Sequence, residues 1–201
     1  AFNILNVKNC ISYHSPSRSN LKPLLLALST LIIISGCASY SAGSFKKPIT
    51  KNVMLKTKFD PKAASYVLED GTATVTGSAS ITDSLGETIN CAGNNVYMAP
   101  VTEYSTERYL YLFGEIENDF ASDEVIHHVR FKSDSPAFRK HMRVTTCNYV
   151  GEFTFHNIAA GDYYIGTNII SELEGYNTIQ GGALAKKISV KSGETLKVKL
   201  D

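Results

Sequence analysis

The segment at residues 151–165, GEFTFHNIAAGDYYI, decides the fold of this chain. Within it Phe153 and Phe155 alternate with polar residues, and this period of two predicts a strand with one buried and one solvent-facing side. Residues 159–162 (AAGD) predict a tight connection, and the apolar residues 163–170 predict a long second strand. The segment therefore indicates two adjacent strands joined by a short turn.

Similar alternation recurs on both sides of this segment. It is clearest at residues 72–82, where Ala73, Val75 and Ile81 alternate with Ser and Thr residues. Other strand-like runs, each bounded by turn signals, lie at residues 53–59, 87–91, 96–100, 142–147, 184–190 and 196–200. Nothing alternates strand with crossover helix, so we predict a mainly β chain that forms an antiparallel β-sandwich of about 7–8 strands.

One short helix and a long insertion complete the predicted architecture. Residues 102–112 (TEYSTERYLYL) have helical spacing, with Ser105 as a candidate cap and Gly114 as the end. The helix opens an insertion, 103–143, in which an acidic part precedes a basic part. Residues 125–131 are a candidate strand within it.

The charge balance bears on possible partners. The chain of 201 residues has 20 Lys or Arg and 19 Asp or Glu. Its first 36 residues hold three of the basic residues and none of the acidic ones, which leaves 17 basic and 19 acidic residues in 37–201. A nucleic-acid-binding domain is typically basic. We therefore expect no nucleic-acid partner.

Residues 24–37, LLLALSTLIIISGC, form a short apolar run that ends on a cysteine. Arg18 and Lys22 precede it, and this order of basic and apolar residues is typical of a secretory signal rather than a membrane span. The ending ISGC resembles the lipobox of bacterial lipoproteins. That resemblance implies cleavage before Cys37, a diacylglycerol thioether on its sulfur and a further acyl chain such as palmitate on its amine. The alternative is a plain signal peptide with an incidental cysteine.

The lipobox resemblance also implies a location and a division of the chain. Ala38 follows the cysteine where an aspartate would favour inner-membrane retention, so the resemblance implies the outer membrane, facing the periplasm or the cell surface. Residues 1–36 would be removed, 37–50 would be a lipidated tether of flexible composition, and 51–201 would be a single domain. We expect a membrane contact through the lipid on Cys37.

The lipoprotein interpretation simplifies the cysteines. With Cys37 lipidated and Cys10 removed, Cys91 and Cys147 remain, and an oxidising envelope favours a disulfide between them. A redox motif or a zinc site would need closer cysteine spacing or further ligands.

The segment 151–165, a Gly-Gly strand and KSGETLKVKL together resemble the carboxypeptidase regulatory-like, transthyretin-like sandwich family. GTATVTGSASITDSLGE and CAGNNVYMAPVTEYS match its opening strands, whereas the insertion has no counterpart. Where the family often has proline, this chain has Ala160 before Gly161. The resemblance implies a sandwich domain with an accessory, adhesive or scaffolding role and no peptidase centre.

Enzyme motifs are missing from the sequence. It contains no Gly-x-Ser-x-Gly elbow, His-Glu-x-x-His pair, phosphate-binding glycine loop or dinucleotide fingerprint. We expect no catalytic residues and no cofactor. Four histidines are candidates for a metal site if the fold brings them together, although scattered surface positions are the simpler interpretation: His127, His128, His141 and His156.

The leading hypothesis from the sequence is a non-catalytic outer-membrane lipoprotein that binds or scaffolds another cell-envelope protein. The insertion 103–143 is its expected contact surface, because recognition often uses loops held on a rigid scaffold. The alternative is a lipoprotein that binds a small ligand, a carbohydrate or a metal. Tyr104, Tyr109 and Tyr111 are candidates for a binding face, or else they fill the core.

Overall fold

The computed structural model describes residues 50–115, 119–132, 134–173 and 178–201. Strands and helices alternate irregularly along the chain. In order they are β1 (Lys51–Val53), β2 (Asp70–Thr82), β3 (Thr88–Asn90), β4 (Asn95–Pro100), α1 (Glu103–Phe113), β5 (Phe120–Ser122), α2 (Asp123–His128), β6 (Val129–Phe131), α3 (Pro136–Lys140), β7 (Arg143–Thr146), β8 (Glu152–Ile158), β9 (Gly161–Leu173), β10 (Thr178–Val190) and β11 (Thr195–Leu200). A 3-10 turn at Ser65–Leu68 precedes β2.

Two sheets form the body of the domain. The larger sheet has five antiparallel strands in the order β5-β10-β9-β4-β7. In the smaller sheet, β2 pairs in parallel with β11 and antiparallel with β8 and β3. The fold is therefore mainly β, an antiparallel sandwich with one parallel pair, and the predicted fold class is confirmed.

The core lies between the inner faces of the two sheets. Val75 and Phe155 of the smaller sheet and Ile165 and Leu184 of the larger sheet all belong to one buried cluster. The alternation in the sequence places them there, because every second residue of a strand faces the same side. The strands β2, β8 and β9 thus form where the periodicity predicts them, whereas β10 begins at Thr178, ahead of the predicted 184–190.

Residues 51–59 pack against the insertion. β1 pairs in parallel with β6, and the carboxylate of Glu107 in α1 accepts hydrogen bonds from the backbone N–H groups of Lys56 and Thr57 at 2.8 Å each. These two bonds lower the pKa of Glu107. The prediction of a strand at 53–59 was wrong except at Val53, because beyond it the backbone N–H groups of Lys56 and Thr57 bond to a side chain rather than to a neighbouring strand.

The insertion differs from the prediction in three respects. Residues 125–128, predicted as part of a strand, belong to α2, where acidic residues occupy the first turn and histidines the last turn, as the helix dipole favours. A third helix, α3, begins with Pro136 at its first turn. Among the described residues, β6 is the end of the predicted strand 125–131, whereas β5 lies where no strand was predicted.

Candidate functional site

A row of small residues lies on the outer face of the larger sheet, where β9 and β10 run side by side. Gly166 pairs with Ala185, and Asn168 pairs with Ala183. On the other side of β9, Tyr97 of β4 lies opposite Gly166. Glycine has no side chain and alanine has only a methyl group, so the sheet surface is recessed along this row. We name this recess the trough.

Helix α1 begins at a capping box beside the trough. The hydroxyl of Thr102 accepts a hydrogen bond from Ser105 N, and the hydroxyl of Ser105 accepts one from Thr102 N at 2.8 Å. Ser105 Oγ also donates to the carbonyl of Pro100 at 2.7 Å, which ties the helix start to the end of β4. The N-cap is therefore Thr102; the prediction of Ser105 as the cap was wrong, since Ser105 is the third residue of the helix. Gly114 ends the helix as predicted.

Three stacked aromatic rings connect α1 to the sheet. The ring of Tyr109 lies 4.4 Å from the centroids of both Phe113 and Tyr164, nearly parallel to each. Its hydroxyl donates to the carbonyl of Ala185 at 3.2 Å. Burial, followed by the negative charge of Asp119, raises the pKa of Tyr109 well above its ordinary value. This phenol therefore stays protonated and acts as a fixed wall.

Between α1 and the trough lies a cavity of about 210 Å³, which we name the α1 hollow. Its wall comes from α1, its floor from the small residues, and its rim from two exposed side chains. These are Tyr109, Leu112 and Phe113 in the wall, Gly166, Ala183 and Ala185 in the floor, and Tyr97 and Asn168 at the rim.

The hydroxyl groups that line the hollow already have partners within the chain. Ser105 donates to Pro100 as described, and Thr167 Oγ1 donates to the carbonyl of Asn95 at 2.9 Å. The hydroxyl of Tyr164 lies 3.1 Å from Thr106 Oγ1. The interior of the hollow therefore offers mainly apolar surface.

The cation that lines the hollow is also engaged. Nη1 of Arg108 lies 2.6 Å from Oδ1 of Asp134, and the guanidinium carbon lies 4.1 Å from the ring centroid of Phe131 and 4.9 Å from that of Phe138. The hydroxyl of Tyr104 donates to the same Asp134 oxygen at 2.8 Å. Arg108 thus fixes α1 to the later part of the insertion, around Asp134, rather than offering a free charge to a ligand.

The rim offers groups that a ligand can reach. Tyr97 is 44% exposed and lies opposite Val144 of β7, which is 53% exposed. Asn168 is exposed, and its side chain makes no hydrogen bond to another described residue. Sequence reasoning missed both groups. The signal for Tyr97 was available, because a residue between the buried Val96 and Met98 of a strand must face the opposite side of the sheet.

The predicted disulfide is confirmed. Cys91 and Cys147 are bonded, with their Cα atoms 5.8 Å apart and both residues buried in the main core. Cys91 follows β3 and Cys147 follows β7, so the bond joins the smaller sheet to the larger one. Cys37, the predicted lipidation site, and most of the predicted tether 37–50 lie outside the described residues.

The histidines do not converge. His127 and His128 lie on α2, where the Nδ1 of each is near a backbone carbonyl of that helix. His141 follows α3 with its ring edge-on to Phe59, and His156 is exposed on β8. Across the described parts of the chain, no group of three or more His, Cys, Asp or Glu side chains has an arrangement that could hold a metal ion.

The predicted tyrosine face is mostly core. Tyr104 and Tyr109 are 2% and 4% exposed, and Tyr111 packs at the edge of the cluster around Tyr104. Tyr109 lines the α1 hollow, but as a buried wall. No helix within the described ranges is long and apolar enough to cross a membrane.

Comparison with known proteins finds similarity at the level of structure. No protein-family model matches the chain, and no curated protein matches it. Among solved structures, a protein of Pseudomonas aeruginosa described as a candidate carbohydrate-binding protein is similar, with a TM-score of 0.57 and 20% sequence identity. The likeness covers 72% of this chain and 97% of that one. It supports the fold assignment.

Proposed function

We propose that this protein is the non-catalytic binding module of an outer-membrane lipoprotein, and that it binds a segment of another cell-envelope protein in the α1 hollow. The lipobox at residues 34–37 supports the envelope location and the lipid anchor on Cys37. The chemistry of the hollow supports the binding role.

The observation that carries the proposal is the apolar lining of the hollow, whose hydroxyls are already hydrogen-bonded. A ligand rich in hydroxyls would lose water there without finding new partners, at a cost of about 1–3 kcal/mol for each unsatisfied group. An aromatic or aliphatic side chain gains about 25 cal/mol for each Å² of apolar surface it buries. The interior therefore favours an apolar group.

The size of the hollow supports the same conclusion. At about 210 Å³ it is smaller than most small-molecule pockets, which measure roughly 300–1,000 Å³. One large side chain fits such a space, and protein interfaces often depend on a few side chains anchored in this way. Phe138 and Met142 of the insertion also line the hollow, so part of the predicted contact surface 103–143 contributes to it.

A saccharide is the second candidate ligand, and the rim favours it. Tyr97 presents an exposed ring on which the apolar face of a sugar can stack. Asn168 lines the same hollow, and its side-chain amide can hydrogen-bond to sugar hydroxyls. The description of the Pseudomonas aeruginosa neighbour as a candidate carbohydrate-binding protein supports this reading. A saccharide would then lie across the rim rather than inside the hollow.

In-cell photo-crosslinking tests the proposal. A photo-reactive amino acid replaces Leu112 in the hollow wall, and in a control it replaces Lys197, which is exposed on the smaller sheet. We expect one dominant envelope protein to crosslink from position 112, and Ala183→Phe, which fills the hollow, to abolish the product. Equal products from both positions, or no reproducible product, would contradict a protein partner in the hollow.

A glycan array separates the two candidates. The saccharide would be favoured if the purified protein binds glycans selectively, if Tyr97→Ala abolishes this binding, and if Ala183→Phe leaves it intact. Crosslinking that depends on an open hollow, without glycan binding, would favour the protein partner.

A further inference from the structure

Positive charge is concentrated in two parts of the domain: the lysines of residues 186–199, and a second group contributed by two other segments. Residues 50–62 and 129–141 together contain eight Lys or Arg and two Asp or Glu. The rest of residues 50–201 contains seven basic and 17 acidic residues. The domain is therefore electrically asymmetric although the net charge of the chain is close to zero.

The structure brings these two segments together. β1 and β6 pair in parallel, with Asn52 opposite Arg130 and Val53 opposite Phe131. The pairing continues through a hydrogen bond from Lys132 N to the carbonyl of Val53 at 2.9 Å. Arg130 and Lys132 thus lie beside β1, while Lys56 and Lys58 follow β1 in residues 54–59, which belong to no strand.

Apolar side chains of the two segments pack into one cluster, which includes Val53, Leu55, Phe59, Val129 and Phe131. Five neighbouring side chains are exposed rather than packed into the cluster. We name these five the basic face: Met54, Lys56, Lys58, Arg130 and Lys132.

The charges of the basic face are only partly compensated within the described chain, where Lys56 interacts electrostatically with the nearby carboxylate of Glu107. None of its four cations forms an ion pair with a described acidic residue, whereas Arg108, Arg143 and Lys186 do. Met54 is 67% exposed among them. The basic face thus combines exposed cations with an exposed apolar side chain.

We propose that the basic face binds the surface of a phospholipid membrane through the phosphates of anionic headgroups. The four cations lie on long flexible stems along an open surface, which suits many dispersed phosphates rather than one enclosed anion. The backbone N–H groups of Lys56 and Thr57, which could otherwise help to cradle a single anion, already bond to Glu107. Met54 can enter the headgroup layer between the lysines.

The acidic remainder of the domain sets its orientation. An anionic membrane repels that remainder and attracts the basic face, so the basic face turns toward the lipid. This contact needs no covalent lipid, and it stands whether or not Cys37 is acylated.

Vesicle co-sedimentation of the full chain tests the inference. The vesicles are phosphatidylcholine alone or phosphatidylcholine with one-third phosphatidylglycerol, and the readout is the difference in binding between them. The apolar residues 24–37 bind both kinds, so that difference isolates the electrostatic contribution. We expect binding to anionic vesicles to fall steeply as salt increases.

A matched pair of variants locates the contact. The basic-face variant carries Lys56→Gln, Lys58→Gln, Arg130→Gln and Lys132→Gln. The control variant carries Lys187→Gln, Lys191→Gln, Lys197→Gln and Lys199→Gln, at exposed positions on β10, on β11 and in the turn between them. Both variants lose four positive charges. A basic residue near an anionic surface contributes about five-fold in affinity. We expect the basic-face variant to bind anionic vesicles at least about twenty-fold more weakly and the control variant to change less than about three-fold.

Four outcomes would overturn the inference. They are equal binding of the wild-type chain to both vesicle types, equal losses in the two variants, displacement by inorganic phosphate at constant ionic strength, and tighter binding to a random-sequence DNA duplex than to the vesicles. If the basic-face variant fails to fold, the single substitutions Lys58→Gln and Arg130→Gln at exposed positions carry the test, and each should weaken binding to anionic vesicles about five-fold.

Discussion

Arg108 of α1 and Asp134, which lies between β6 and α3, form an ion pair in which Nη1 and Oδ1 are 2.6 Å apart and both side chains are largely shielded from water. The pair lies beside the α1 hollow, so the position of the hollow wall depends on it. Removing one partner leaves a charge without compensation in a place that water reaches poorly.

Asp134→Ala should therefore destabilise the domain by about 2–3 kcal/mol, because it leaves Arg108 and the hydroxyl of Tyr104 without an acceptor. The control is Asp201→Ala, which breaks the exposed pair with Lys199 and should cost less than about 0.5 kcal/mol. Urea denaturation measures both values. Equal losses would show that the Arg108 pair contributes no more than a surface pair.

The start of α1 depends on its capping box. Thr102→Ala removes the acceptor for Ser105 N and should cost about 1 kcal/mol, whereas Thr102→Ser keeps a hydroxyl there and should cost a few tenths. Hydrogen exchange should show the first turn of α1 opening faster in the alanine variant alone. The same exchange rate in both variants would mean that the Thr102 hydroxyl does not hold the helix start.

The disulfide should contribute a large part of the stability. Cys91 and Cys147 are separated by 56 positions, and the chain-entropy model gives about 4 kcal/mol for closing a loop of that length. We expect the double Cys→Ser variant to have a free energy of unfolding lower by that amount, measured by urea denaturation. Reducing agent should lower the free energy of unfolding of the wild-type protein equally and leave that of the variant unchanged. Thiol titration of the oxidised domain should find neither cysteine free.

Stability should decrease in alkaline solution through Tyr163. Burial, followed by the proximity of Tyr66, raises the pKa of Tyr163 from 10.0 to about 12. The folded state therefore holds this proton more tightly than the unfolded state, so the stabilisation is complete below pH 10 and is lost as the pH rises through 12. Unfolding free energies should fall by about 2 kcal/mol over this range.

Tyr163→Phe provides the control for that decrease. The phenylalanine cannot ionise, so its stability curve should be flatter over the same range, although Tyr66, Tyr104 and Tyr109, whose pKa values are also raised, still contribute. A variant curve parallel to that of the wild type would show that Tyr163 is not the group responsible.

Acylation of Cys37 is testable by metabolic labelling in a bacterial host. Cys37→Ser removes the sulfur that would carry the diacylglycerol, so labelling with a palmitate analogue should disappear and an uncleaved precursor should accumulate. Cys10→Ser should leave both unchanged. Persistent labelling of the Cys37 variant would refute the lipid anchor.

The sequence predicted the strands whose periodicity reflects burial on one face. Residues 72–82 alternate clearly, and β2 spans Asp70–Thr82. Residues 125–128 were harder to assign because Val125 and Ile126 favour strands, while acidic residues before them and histidines after them favour a short helix. Local propensity alone could not decide between these opposing preferences.

The α1 hollow was not predictable, because it results from long-range register. Gly166 reads as an interruption within an apolar strand, and only the pairing with Ala185 and Tyr97 shows that it forms the floor of a cavity. The basic face was hidden for a similar reason. Its residues lie in two segments more than 60 positions apart, which the parallel pairing of β1 with β6 brings together.

The parallel pairing of β2 with β11 has a consequence for synthesis. Thr74 lies beside Thr195, and Ala79 lies beside Leu200, so the central strand of the smaller sheet waits for residues made about 120 positions later. Until then one edge of β2 has no partner, and the core lacks Val198 and Leu200. Such distant contacts slow folding. The nascent chain should therefore remain open during translation and close its sandwich only once β11 has left the ribosome.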